Sequence, residues 1–180
     1  MGEKAPPQPH PSRITDFAGH PLVVAVLPEQ PAVVALTAAN LARATGASAL
    51  YFAYVDPSRY ADEEHADGTV RHVSIDPDIA DDTWPRREEE LTRLVAGWME
   101  GQDVPWHFRY LAGRVDRALT HLARAVDAAG FVVGSHVGRH RRLRDLVDAS
   151  TGLHLSHHQH RPVLVVPVEV VDWEDQVPWE

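Results

Sequence analysis

Three groups of residues carry side chains whose types and spacing could do chemistry. The first is Val132-Val-Gly-Ser-His-Val-Gly138, followed further on by Ala149-Ser150-Thr151. Glycines after a strand let the backbone approach a phosphate, and a hydroxyl at a helix start joins the free N–H groups there. The second group lies directly behind it, Arg139-His-Arg-Arg-Leu-Arg144. Guanidinium groups suit two-pronged phosphate contacts. Taken alone, however, this run reads more readily as a solvated basic loop balanced by Asp145 and Asp148. The third group is histidine, twelve in all, with His154 and His158 four apart and His157 and His160 beside them. Catalytic zinc takes three protein ligands, and no His-Glu-x-x-His occurs, so these are read as surface histidines and no metal is assigned. His121 falls on a polar stripe with Arg114, Arg117 and Arg124 and is expected to face solvent.

Nucleophilic chemistry finds no support. There is no Gly-x-Ser-x-Gly elbow, no Gly-x-x-x-x-Gly-Lys-Ser/Thr loop and no Gly-x-Gly-x-x-Gly fingerprint. Ser135 and His136 are too close in the chain for a triad-like bond to be inferred. Zero cysteines remove disulfides, thiolate metal sites and thiol nucleophiles together. No catalytic residue is assigned. The acid-rich stretch 56–90 lacks the spacing of a calcium loop and reads as solvation.

Composition narrows the partners. Seventeen Lys and Arg against twenty-six Asp and Glu leave a net charge of −9, which disfavours nucleic acid. The longest apolar runs, Leu22–Leu27 and Val163–Val168, fall far short of the ~20 residues that span a bilayer. The opening Met-Gly-Glu-Lys-Ala-Pro-Pro has no apolar signal core, and Pro6 stands where a myristoylation signal takes Ser or Thr. A soluble, cytoplasmic domain is expected, and 180 residues suffice for one core-forming unit.

The elements that must position these groups alternate along the chain. Leu22–Leu27 is a continuous apolar run, as a strand buried on both faces should be. Pro31 suits a first helical turn, Val34, Ala38, Leu41, Ala42 and Thr45 mark one face, and Gly46 fits the stop. Ala49–Val55 is a second strand, ended by Asp56-Pro57. Residues 56–83 form an acidic insertion, in which Arg71–Ile75 reads as a hairpin strand with Asp67-Gly68 as its turn. A helix is expected from Trp84 to Glu100 and a third strand over Trp106–Leu111. Gly113 opens a helix with the stripe Val115, Leu119, Leu122, Val126 and Ala129. Phe131–Val133 is the fourth strand, Ser150–Gln159 the last helix and Val163–Val168 the fifth strand. Such alternation means an α/β fold with a parallel sheet and helices on both faces. Residues 1–20, with four prolines, read as a flexible tail, 21–168 as the domain and 169–180 as an acidic tail.

The stretch Val132–Gly138, Ala149-Ser-Thr151 and Pro162-Val-Leu-Val-Val-Pro167 resembles the universal stress protein family, over about Pro21 to Val168. His154-Leu-Ser-His-His-Gln-His-Arg-Pro is similar to a divergent actinobacterial-type subgroup of it. The resemblance implies a Rossmann-like, adenine-nucleotide α-hydrolase-like fold, strand order 3-2-1-4-5. It also implies a regulatory role in stress rather than a defined turnover reaction. Its nucleotide-binding pattern is Gly, two residues, Gly, nine residues, Gly, then Ser or Thr. Carried over, that pattern points to Gly134, Ser135, Gly138, Arg139, Ser150 and Thr151, with Tyr54 and Val55 where the second strand would flank an adenine.

Three positions depart from the pattern. Leu27 stands where the family has an Asp, and Val137 and Ala149 stand at glycine positions. Leu27 cannot accept a hydrogen bond, and a Cβ at Val137 obstructs close backbone approach. A degenerate site is therefore expected, with no resident cofactor and ATP held, if at all, weakly and by its phosphates. The alternatives are a functional ATP-binding member or an ATP-using enzyme of the same fold group. A homodimer through the apolar fifth strand Val163–Val168 is also expected, with a monomer whose edge is covered by Trp173 and Trp179 as the alternative.

Overall fold

A computed structural model describes residues 10–76, 83–135, 152, 155, 156 and 159–168. Five strands form one parallel sheet: β1 (Leu22–Ala25), β2 (Leu50–Asp56), β5 (Trp106–Ala112), β6 (Gly130–Ser135) and β7 (Val163–Pro167), in the order β5-β2-β1-β6-β7. Leaving out the hairpin strands β3 (Arg59–Glu64) and β4 (Val70–Ser74), this is the expected 3-2-1-4-5. Leu22 pairs with Leu50 on one side and Gly130 on the other, so β1 is central.

Side-chain alternation along the strands divides the core in two. Leu22, Val24, Phe52 and Tyr54 meet helices α1 (Val33–Thr45) and α2 (Trp84–Trp98), while Val23, Ala53 and Val55 meet α3 (Val115–Ala125) and Leu155. Helix α1 lies against the sheet through Val34, Ala35, Ala38, Ala39 and Ala42, all fully buried small residues. It begins at Val33, two residues later than Pro31 had suggested, and ends at Gly46 in the left-handed region (φ 68°). Gly152, Leu155 and Ser156 are helical, within the span expected for the last helix.

The insertion is more structured than its composition suggested. β3 and β4 pair antiparallel, with an irregularity between Ala61 and Glu63. The turn is the expected one, with Asp67 Oδ1 accepting from the Thr69 N–H at 3.0 Å and its hydroxyl at 2.6 Å. The tip packs on α3. Gly68 has φ 80°, and a Cβ there would overlap Leu122 Cδ1. The hairpin thus lies across β5, the edge strand, from α2's side to α3's.

Packing begins ahead of Pro21. Phe17 lies against the core, and the Gly19 N–H donates to the Gly46 carbonyl at 2.8 Å. At the other end of the sheet, β7 is an edge strand with Leu164 and Val165 exposed, at 41% and 49%. That is more open than a strand covered on both faces. Among the described residues, no helix is long and apolar enough to cross a membrane.

Candidate functional site

In an open parallel sheet, ligands sit beyond the carboxyl ends of the strands where the order reverses. Here that point lies between β1 and β6. The chain leaves β1 through Leu27 and turns on Glu29, which takes φ 64°, unusual for a side chain with a Cβ. Gln30 then folds back and is 9% exposed. Its Oε1 accepts from the Leu27 N–H at 2.9 Å, and its Nε2 donates to the Ala25 carbonyl at 3.4 Å. The backbone groups at the end of the central strand therefore already have an amide partner from the chain itself.

Across the crevice, Gly134 is the next-to-last residue of β6 and has little spare room. A Cβ placed there would stand 3.0 Å from Val168 Cγ1 and 3.2 Å from Val34 Cγ2, with Gln30 Cδ at 4.0 Å. Ser135 follows, its Oγ accepting from the Val168 N–H at 3.3 Å. Gly134 and Ser135 are thus at the switch point with Gln30, Val34 and Val168. Tyr54 and Val55 are not brought to it. Tyr54, 8% exposed, sets its ring 5.3 Å from that of Tyr110 on the β5 side, and Val55 joins the core under α3. Gly138, Arg139, Ser150 and Thr151 lie outside the described residues, as do Val137, Ala149 and His154, His157 and His158.

The second polar centre was not anticipated. Asp56, read from sequence as a strand stop, is 1% exposed at the end of β2. Its carboxylate accepts from the Tyr110 hydroxyl at 2.5 Å, from the Ser58 N–H at 2.9 Å and hydroxyl at 2.6 Å, and from Arg87 Nη1 at 3.1 Å. Burial opposes its charge, but the bonds from Ser58 and Tyr110 and the Arg87 guanidinium together hold it below the usual carboxylate value. Burial, and then the neighbouring Asp56 carboxylate, raise Tyr110 far above an ordinary phenol. This is a stable anion with its donors in place, which ties β2, β5 and α2 together. Beside it the His72 ring sits 4.6 Å from Trp84 and 5.3 Å from Tyr110. Burial and the adjacent Arg59 push that histidine below its ordinary value.

Between β3 and the start of α3 lies an open cavity of about 480 Å³, lined by Tyr60, Asp62, Glu64, Gly113, Arg114 and Arg117. His121 belongs to the same flank of α3, but does not stand free in solvent as expected. It is about one-third exposed, with Nδ1 2.9 Å from Glu64 Oε2 on the hairpin. Arg114 is paired with Asp116 at 2.7 Å. Among the described residues, no three His, Asp or Glu side chains come together as metal ligands would.

No family model matches the sequence, and no curated protein matches it. Solved structures do match in shape. A universal stress protein in complex with cAMP superposes with a TM-score of 0.58 at 18% identity, over 84% of this chain and 99% of that one. The universal stress protein from Archaeoglobus fulgidus in complex with dAMP gives 0.54 at 17%, over 82% and 97%. A universal stress protein family member from Burkholderia pseudomallei gives 0.56 at 21%, over 82% and 95%. Each neighbour is matched over nearly its whole length, in an α/β arrangement that the strand order here reproduces. The chain has the universal stress protein fold.

Proposed function

We propose that the protein is a universal stress protein-like binding and regulatory module whose adenine-nucleotide site has degenerated. The observation that carries this reading is Gln30. Its amide satisfies the Leu27 N–H and the Ala25 carbonyl, and so occupies the end of the central strand. Leu27 offers no carboxylate there, and Val34 and Val168 crowd Gly134. Losing one charged contact costs about 1.5–3 kcal/mol, roughly tenfold or more in affinity. ATP is accordingly assigned a dissociation constant weaker than about 100 μM, with the residual affinity carried by phosphate.

A second reading, retained ATP binding, has one observation in its favour. Neighbours of this fold are described in complex with cAMP and dAMP. The domain on either reading is 21–168 together with the segment from Phe17 that packs on it, working in the cytoplasm as a homodimer through β7, where exposed Leu164 and Val165 give the apolar contact.

Mass spectrometry of small molecules released when the purified protein is denatured separates the two readings. The degenerate site releases no adenine nucleotide in stoichiometric amount. One nucleotide per chain would overturn that reading and favour the second.

A further inference from the structure

At the amino end of the sheet, a strand's length or about 17 Å from the crevice, one arginine is buried with most of its donors unspent. Arg161 precedes β7, and its side chain is 6% exposed. The Gln159 carboxamide pins its backbone, accepting from the Arg161 N–H at 2.5 Å and donating to the Arg161 carbonyl at 2.6 Å. Of the five guanidinium donors, Nε has an acceptor, the Ala128 carbonyl at 2.6 Å. Nη2 stands 3.9 Å from Asp127 Oδ1, too far for a hydrogen bond, and Nη1 is buried with no partner among the described residues. The end of α3 does not call for these donors. Its Leu122, Ala123 and Arg124 carbonyls already accept from the Val126, Ala128 and Asp127 N–H groups.

Other cations gather on the same spot. The charges of Arg161, Arg13 and Arg124 all act on His160, and together with burial they push it below its ordinary value. Arg13 closes the 3-10 turn Pro11–Arg13, Arg124 stands in the last turn of α3, and both are exposed. Among the described residues, Asp127 is the carboxylate that approaches Arg161, and it also serves His20, whose Nδ1 lies 3.3 Å from Oδ2. Three guanidiniums against that carboxylate leave two positive charges, in a chain whose net charge is −9.

We propose that Arg161, Arg124 and Arg13 form an oxyanion site for a doubly charged phosphate group, at the end of the sheet opposite the crevice. A tetrahedral oxyanion offers several acceptors at once, and guanidinium forks match them. A dianion balances the two excess charges and gives Arg161 the acceptors that the protein does not supply. A neutral His160 ring adds an N–H donor without adding charge. The exposed Arg13 and Arg124 draw the group in from solvent. Seating it against Arg161 takes a small outward shift of the guanidinium, since Nη1 has no open surface.

Titration calorimetry of the full chain with inorganic phosphate, at pH 7.5 and fixed ionic strength, tests the site, and NMR amide shifts locate it. The wild type is expected to bind one phosphate with a constant below about 1 mM, moving the amides of 124–128 and 159–162. Arg161→Gln should abolish binding. Should that variant not fold, the double variant Arg13→Gln, Arg124→Gln decides, because both positions are exposed: it should keep the melting temperature measured without phosphate and bind at least tenfold more weakly. Phosphoserine distinguishes the sources. Competition at equal strength assigns the site to phosphomonoesters, and failure to compete assigns it to free phosphate. Binding that does not saturate by tens of millimolar phosphate, an unchanged constant in the double variant, or shifts confined to the carboxyl ends of the strands overturns the proposal.

Discussion

At the scale of single residues, Asp56 and Gln30 carry most of the structural meaning, and neither was legible in the sequence. Asp56 looked like punctuation because Asp-Pro commonly ends a strand. Its partners Arg87 and Tyr110 lie far along the chain, and no local pattern announces them. Gln30 sits in a turn with no motif, and its role appears only once the chain has doubled back on β1. Leu27 and Gly134, by contrast, could be placed from spacing, because strand ends and glycines leave local marks. Replacing Asp56 with Ala would leave the Tyr110 hydroxyl and Arg87 without their acceptor. The expected cost is about 3 kcal/mol in denaturant unfolding. Asp56→Asn, which keeps an acceptor of the same shape, should lose less. The sign of the pH dependence follows from depressed groups, chief among them His72 and Asp56. His72 is held low, so its contribution is complete above an ordinary histidine value of about 6.5 and is lost as pH falls through its folded value. Asp56 is held low among carboxylates, so its contribution persists until pH drops below about 4. Urea midpoints measured from pH 8 to pH 3 should therefore fall in two stages. His72→Asn should shrink the first stage, to which His160, also held low by burial and neighbouring arginines, contributes, and leave the second unchanged.

At the scale of elements, the five parallel strands were legible because each is a short, mostly apolar run bounded by turn residues. Strand β3 was not. Arg59-Tyr-Ala-Asp-Glu-Glu64 has no alternating apolar pattern, since it pairs only with β4, its acids Asp62, Glu63 and Glu64 are exposed, and its buried position is taken by Arg59. The turn was legible, because Asp-Gly is a local signal for a hairpin. Gly68 is required twice over, by its positive φ and by the contact with Leu122. Gly68→Ala should cost about 2–3 kcal/mol, through left-handed strain together with overpacking. Chemical denaturation checks this, and Gly19→Ala serves as the comparison. Gly19 has the same φ of 80° but nothing near its Cβ position, so it should lose only the strain.

At the scale of the whole molecule, the hairpin and β7 divide the two edges of the sheet between them. One edge strand, β5, lies under the hairpin, and the other, β7, exposes Leu164 and Val165. A long apolar edge is an aggregation hazard unless it is paired, which favours two copies meeting at β7. Light scattering at micromolar concentration should give twice the mass of one chain, and Val165→Lys should return it to the mass of one. A wild-type mass of one chain would exclude the dimer. The fold itself could be read from strand–helix alternation because parallel order follows from short, right-handed connections. Whether the crevice still serves a nucleotide could not, because that depends on which side chains the turn after β1 folds into it. Titration calorimetry with ATP, AMP and pyrophosphate measures this directly. A closed crevice gives an ATP constant weaker than about 100 μM, with AMP no better than pyrophosphate. A micromolar ATP constant would contradict it.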